Sequence, residues 1–405
     1  MPVLLIGTLD TKGSEIGYVR DRLQTSGVNV TVMDAGSMGS PSVESDISRE
    51  AVFLSAGANL AEVQTAADRG KAVSLAAEGA AKLALELHVR GRLDGVLSLG
   101  GSAGTTIGTA AMRALPLGVP KLMVSTLASG QVQHYVGTSD IFMLHSVVDI
   151  AGLNRISRAV LANAAAAMAG MVSAARAGGT PALPGGFDKP VIAATMFGVT
   201  TPCVEAARKI LEAAGYEVIV LHATGTGGRT LEGLIRDGLI AGVLDITTTE
   251  LADELVGGIL SAGPDRLTAA GARGIPQVIS LGALDMVNFG PPETIPSRFQ
   301  DRLFYRHNPS VTLMRTTPEE MAQLGSELAS KANAAIGPTR VMLPLRGVSA
   351  IDAEGKPFWW PEADAALFAA IRSRIEPKLL IECDCHINDA AFAEACAVQL
   401  LELLK

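Results

Sequence analysis

Rings are scarce in this 405-residue chain. Aromatic residues make up 4% of it, so the 48% of apolar residues are mainly Ala, Val, Leu and Ile, the composition of strands packed between helices. Four cysteines, at 203, 383, 385 and 396, are too few and too scattered for a disulfide framework, and a reducing cytoplasm is expected. No basic stripe is present and the net charge is −8, which argues against broad nucleic-acid or anionic-membrane partners. A small anionic ligand needs only local positive groups and stays open. The chain begins with the apolar run Val3–Ile6 and lacks the charged leader of a signal peptide. The alanine-rich stretch 159–177 is interrupted by Asn163 and closed by Arg176, so it reads as a core helix and not as a membrane span. A Walker A loop, an in-register G-x-G-x-x-G and a G-x-S-x-G elbow are all missing.

What is present is a repeat. Residues 3–39 align without a gap onto 191–227, placing Val3 on Val191, Gly27 on Gly215 and Gly39 on Gly227. Each copy reads as strand, polar loop, helix, glycine stop, strand and glycine-rich loop. Further on, LDGVLSLGG (93–101) answers IAGVLDITT (240–248), and GVPKLMVSTLASG (118–130) answers GIPQVISLGALDMVNFG (274–290). Two tandem α/β units follow, each a doubly wound, mainly parallel sheet of Rossmann-like type. The expected limits are 1–178 and 190–405, joined by a Gly/Pro-rich connector at 179–189. Two sheets and the helix at 154–177 also suggest a homo-oligomer. The C-terminal stretch reads as a strand and loop at 341–352, a helix at 361–375, a strand at 379–384 and a helix at 389–404. The run Phe358-Trp359-Trp360 reads as a lid packed on the core, with ligand stacking as the alternative.

Right-handed crossovers place the strand-to-helix loops of each sheet on one edge, where such sheets bind ligands. In LGGSAGTT, Gly100, Gly101, Ser102 and Thr105 precede or open a helix whose free amides suit a phosphate or carboxylate. Thr226, Gly227 and Gly228 of HATGTGGR do the same, with Arg229 placed to grip an anion. Asp10, Thr11 and Lys12 of the first loop and Thr126 of STLASG complete this ligand-binding set. Asp245 and Asp285 fall at or just beyond strand ends, where a divalent cation bridging phosphates would suit them; helix capping is the alternative use of such residues. His134, His307 and His386 are the candidate acid–base residues. Cys383, Cys385 and His386 form C-x-C-H, which lacks the second ligand pair of a zinc site.

The motifs GTLDTKGSE (7–15), GGSAGT (100–105), HATGTGGR (222–229), DITTTELADEL (245–255), GALDMVNFG (282–290), FYRHNPSVTLMRTT (304–317), GVSAID (347–352) and HINDAAFA (386–393) run in order through nearly the whole chain. In them the chain resembles the Tm-1-like family of uncharacterised proteins (UPF0261). The resemblance implies two Rossmann-like subdomains and binding of ATP with magnesium. Ala390-Ala391 stand where the family pattern has Pro-Glu, while His386, Asn388 and Asp389 are kept. The leading expectation is therefore a cytoplasmic nucleotide-binding protein, with phosphates on one or other glycine-rich loop. A lyase or hydrolase acting on a small acidic metabolite, and a ligand sensor without chemistry, are the alternatives.

Overall fold

The structure, a computed structural model, describes residues 1–177 and 189–405. The expected connector 179–189 lies, apart from Lys189, outside the described residues. The chain divides into two compact units, Met1–Gly185 and Gly186–Lys405.

Unit 1 opens with β1 (Val3–Gly7), all five residues buried, and α1 (Leu9–Thr25) follows after the single residue Thr8. Gly27 ends that helix with φ +77°, a conformation glycine adopts without steric cost, and the chain turns into β2 (Val30–Asp34). Three helices come next: α2 (Arg49–Ser55), α3 (Leu60–Ala66) and α4 (Arg69–Val89), capped by Ser48, Asn59 and Asp68. Then β3 (Gly95–Gly100), α5 (Ser102–Arg113), β4 (Lys121–Ser125), the one-turn α6 (Gln133–Val136), β5 (Phe142–His145) and α7 (Arg155–Arg176) complete the unit.

The sheet order is β2-β1-β3-β4-β5, all parallel. This is the doubly wound order 2-1-3-4-5. One face packs on α1 and α7 through Ile16, Val19, Leu161 and Met168, the other on α2, α4 and α5 through Phe53, Ala76, Ile107 and Met112. Helix α7 is long and apolar enough to cross a membrane by length and composition. Its Leu161, Ala164, Ala165, Met168 and Val172 are buried in the core of the unit.

Unit 2 repeats the plan. Strand β6 (Val191–Met196), α8 (Thr201–Ala213), β7 (Glu217–His222), α9 (Thr226–Arg236), β8 (Gly242–Thr247), α10 (Glu250–Val256), α11 (Ala269–Arg273) and β9 (Gln277–Gly282) follow the order of unit 1. The repeat also holds at the glycine stop: Gly215 has φ +98°, matching Gly27. An insertion then breaks the pattern. The stretch 281–290 forms β10 (Met286–Phe289) in its second half. It pairs antiparallel with β12 (Val311–Arg315), which also pairs with β11 (Phe304–Asn308). Four apolar-rich residues between Asp285 and Gly290 are too short a run for a periodicity to show in sequence. After α12 (Pro318–Asn333), β13 (Thr339–Pro344), α13 (Pro361–Arg374), β14 (Leu380–Cys383) and α14 (Ala390–Leu403) follow close to the expected limits.

The large sheet runs β14-β13-β9-β8-β6-β7, again parallel, so the unit-1 order recurs with one strand added. Helices α8 and α14 cover one face, and α9 to α13 the other. The lid expectation for 358–360 divides by residue. Phe358 is fully buried, Trp360 packs on the core and Trp359 is half exposed.

Candidate functional site

In a 2-1-3-4-5 sheet, helices leave the central strand pair for opposite faces, and a crevice opens between the ends of those strands. In unit 1 these are β1 and β3. Thr8 to Lys12 follow β1 and Gly100 to Ser102 follow β3 at this edge, and Thr126, after β4, lies beside Gly101.

Gly101 is the N-cap of α5, and no side chain caps that helix. The positive end of a 12-residue helix therefore faces the crevice with its first-turn amides unclaimed by a capping group. Behind the loop, the Thr105 hydroxyl bonds the Gly101 carbonyl at 2.8 Å and the Ser125 hydroxyl at 2.7 Å, which fixes the turn from below. The two glycines serve different ends. A Cβ on Gly100 would meet the backbone of Gly104 at 2.8 Å, so packing requires glycine there. Gly101 has φ −80°, open to any residue, and a Cβ on it would meet only the Thr126 hydroxyl, at 3.7 Å. Nothing in the fold demands glycine at 101; its bareness leaves space over the amides.

Across the crevice, Lys12 sits at a kink in α1 (φ −128°, ψ 17°) and its Nζ donates to the Ile150 carbonyl. Glu15, buried, accepts from the Gly152 amide at 2.7 Å, so both side chains tie the segment after β5 to α1. Thr11 is exposed and shares a 2.7 Å bond with the Thr8 hydroxyl. Asp10 accepts from the Met38 amide at 3.0 Å through Oδ2. Asp34, at the end of β2, is buried and takes the Leu9 and Gly36 amides and Arg49, so it braces the crevice from inside.

The corresponding edge of unit 2 is closed. By the repeat, Thr247 and Thr248 stand where unit 1 has Gly100 and Gly101. The Thr247 hydroxyl bonds that of Thr200 at 2.8 Å, the Thr247 amide donates to the Thr195 hydroxyl at 3.0 Å, and Thr247, Thr248, Thr249 and Glu250 are all fully buried. The other glycine-rich loop, at Thr226–Gly228, does hold an anion, but the anion belongs to the chain. Glu250 Oε1 accepts from the amides of Gly225 at 2.6 Å and Gly228 at 2.9 Å, while its Oε2 accepts from Arg266 Nε at 2.7 Å. Arg229 is exposed and donates to the Ser261 carbonyl. Arg266, which the sequence reading did not single out, is the hub of this arrangement.

The surroundings of Asp245 and Asp285 do not suit magnesium. Arg266 takes both oxygens of Asp245, and Thr195 donates to one of them. Asp285 is buried, accepts from the Ser349 hydroxyl at 2.8 Å, and is pushed up to about 6 by burial, against the opposing pull of Arg315. Among the described residues no group of three or more His, Cys, Asp or Glu side chains could hold a metal ion.

The three histidines part company. His134 lies beside the C-terminal half of α5, where Arg113 donates to both Thr109 and the neighbouring Tyr135 carbonyl. His307 is exposed on β11 at a register shift between Arg306 and Asn308. His386 is packed among polar groups, yet its Nε2 lies 2.9 Å from the Ser349 carbonyl and its Nδ1 accepts from the Asn388 amide at 3.1 Å. With both nitrogens engaged it clamps the loops after β13 and β14. Cys383 and Cys385 pack against the apolar cluster that holds Cys203 and Cys396, and burial pushes both thiols up, Cys385 to about 11.

Compared with known proteins, the chain matches the uncharacterised protein family UPF0261 in both parts: the N-terminal domain over residues 1–177 and the C-terminal domain over 189–404. A UPF0261 protein of Clostridium tetani is 47% identical over 405 residues, covering 100% of this chain and 99% of that one. The ToMV resistance protein Tm-1(GCR237) of Solanum lycopersicum is 42% identical over 420 residues, covering 99% of this chain and 55% of the tomato protein. Among solved structures, a putative UDP-N-acetylglucosamine 2-epimerase from Listeria monocytogenes aligns at 10% identity and a TM-score of 0.22, over 69% of this chain and 78% of that one. A likeness that low shows nothing about activity.

Proposed function

Because the chain belongs to the UPF0261 family, we propose that it is a nucleotide-binding protein of Tm-1-like type, with ATP and magnesium as its ligand and the phosphates seated in unit 1. The supporting observation is Gly101: a glycine that neither backbone angle nor packing requires, at the uncapped start of α5, in the crevice where doubly wound sheets take their ligands. The counterpart crevice in unit 2 is filled by threonines and its glycine-rich loop by Glu250.

In this reading the α5 amides and Ser102 hold phosphate oxygens and Thr126 borders them. Lys12 supplies positive charge from across the crevice. Magnesium would neutralise phosphate charge, and Asp10, whose Oδ2 accepts from the Met38 amide, is a carboxylate of this edge that could share it. The acid–base alternative loses support, since His386 has both nitrogens engaged, His134 lies beside the C-terminal end of α5 and His307 is exposed on β11.

The test is calorimetric titration of the full chain with MgATP, set beside Gly101→Val. The valine fills the space over the amides, so binding should weaken at least tenfold while the unfolding free energy changes by no more than about 0.5 kcal/mol. Wild-type protein with no saturable nucleotide binding, or a valine variant that binds as tightly as wild type, would refute the proposal.

A further inference from the structure

Four stretches distant in sequence meet beside the ends of β9 and β13. Asp285 comes from the turn between β9 and β10, Arg315 ends β12, Asp352 lies in the connection from β13 to α13, and Asp364 lies in the first turn of α13. Arg315 is fully buried. Its Nη2 donates to Asp364 Oδ1 at 2.7 Å and lies 3.5 Å from Asp352 Oδ1, while its Nε donates to the Phe358 carbonyl at 2.8 Å.

Asp285 and Asp352 are as buried as the arginine. One oxygen of each is held, Asp285 Oδ2 by the Ser349 hydroxyl and Asp352 Oδ2 by the Val348 amide at 3.1 Å. The Oδ1 atom of each has no hydrogen-bond partner. Three carboxylates thus gather near a single buried guanidinium, two of them fully buried and Asp364 only slightly exposed. Such a group is tolerable only if protons replace the missing positive charge.

The segment between Asp352 and α13, Ala353 to Trp360, exposes Glu354, Gly355, Lys356, Pro357 and Trp359 and buries Phe358. Arg315 fastens it through the Phe358 carbonyl, and the same guanidinium holds Asp364 just beyond.

We propose that residues 353–360 form a proton-dependent strap, shut while Asp285, Asp352 and Asp364 share protons around Arg315, and lifted when those protons are lost. Lifting it admits water to the Oδ1 atoms of Asp285 and Asp352. The charged and titratable groups facing the cluster are Arg315 from β12, Asp285 from the β9–β10 turn, Asp352 from the loop after β13 and Asp364 from α13. His386 stands behind Ser349, from the β14–α14 turn. Burial raises all three acids, Asp285 to about 6 and Asp352 and Asp364 to about 7. Asp285 raises Asp352 further, and Asp352 raises Asp364. The strap is therefore shut below neutrality and loosens as pH rises through it.

The chain has two tryptophans, Trp359 and Trp360, and both are in the strap, so tryptophan fluorescence reports on this segment alone. Acrylamide quenching of the full chain is measured from pH 5.5 to 8.5, beside far-UV circular dichroism. Quenching should rise on the order of twofold with a midpoint near neutrality and no change in circular dichroism, as for a local opening. Asp352→Asn should abolish the rise; if that variant does not fold, Asp285→Asn should move or flatten it. Quenching that is flat in the wild type, that rises equally in the folded variant, or that rises only with loss of secondary structure overturns the proposal.

Discussion

Arg266 grips both oxygens of Asp245, Nη1 on Oδ2 and Nη2 on Oδ1, each at 2.6 Å. The same guanidinium bonds Glu250 through Nε, and Glu250 in turn caps α9. Bidentate pairing of this kind fixes geometry as well as charge. The end of β8 and the starts of α9 and α10 are thereby held to one buried cation.

Replacing Arg266 with Met should cost about 3–5 kcal/mol, because it leaves Asp245 and Glu250 buried without a cation. Urea unfolding at pH 7 measures this. A loss below about 1 kcal/mol would mean that water reaches the two carboxylates in solution.

Asp253 gives a pH-dependent test in the same unit. Fully buried, it accepts from the Leu260 and Asn288 amides at 3.1 Å each and from the Asn288 side chain at 2.7 Å, and burial pushes it up to about 7. The folded chain then holds a proton that the unfolded chain releases near pH 4. Its contribution to stability is full below pH 4 and falls by about 1.4 kcal/mol per pH unit until about pH 7. Urea unfolding of Asp253→Asn between pH 4.5 and 8 should lack this slope, whatever the variant's overall offset. Parallel curves for variant and wild type would show that the carboxyl is ionised throughout.

The two glycine stops should respond alike. Gly27 and Gly215 both have positive φ and open space where a Cβ would go. Alanine at either should cost about 1 kcal/mol through backbone strain alone. Paired thermal melts check this, and a clearly unequal cost would show that the two copies have lost their equivalence at this turn.

Much of this fold is legible locally. The gap-free match of 3–39 to 191–227 shows the run of strand, helix, glycine stop and strand that opens both units, because each of these depends on residues a few positions apart. What is illegible depends on distant partners. Whether Gly225 and Gly228 await a ligand is decided by Glu250, 25 and 22 residues away. Arg266 gives no local sign that it is buried, and Asp285 meets Ser349 across 64 residues of chain. The antiparallel β10–β12 sheet interrupts the repeat and has no counterpart among the described residues of unit 1 to announce it. Asp245 illustrates the general difficulty, since a carboxylate at a strand end looks the same in sequence whether it faces a cation in solution or an arginine within the core.

The self-capped glycine loop of unit 2 has a thermodynamic corollary. A helix end that carries its own counter-ion gains nothing from dissolved anions at that end. An uncapped end draws stabilisation from whatever binds it, growing with the logarithm of the free ligand. A ligand that fills the crevice of unit 1 would therefore add stability at the α5 end and draw nothing from the α9 end of unit 2.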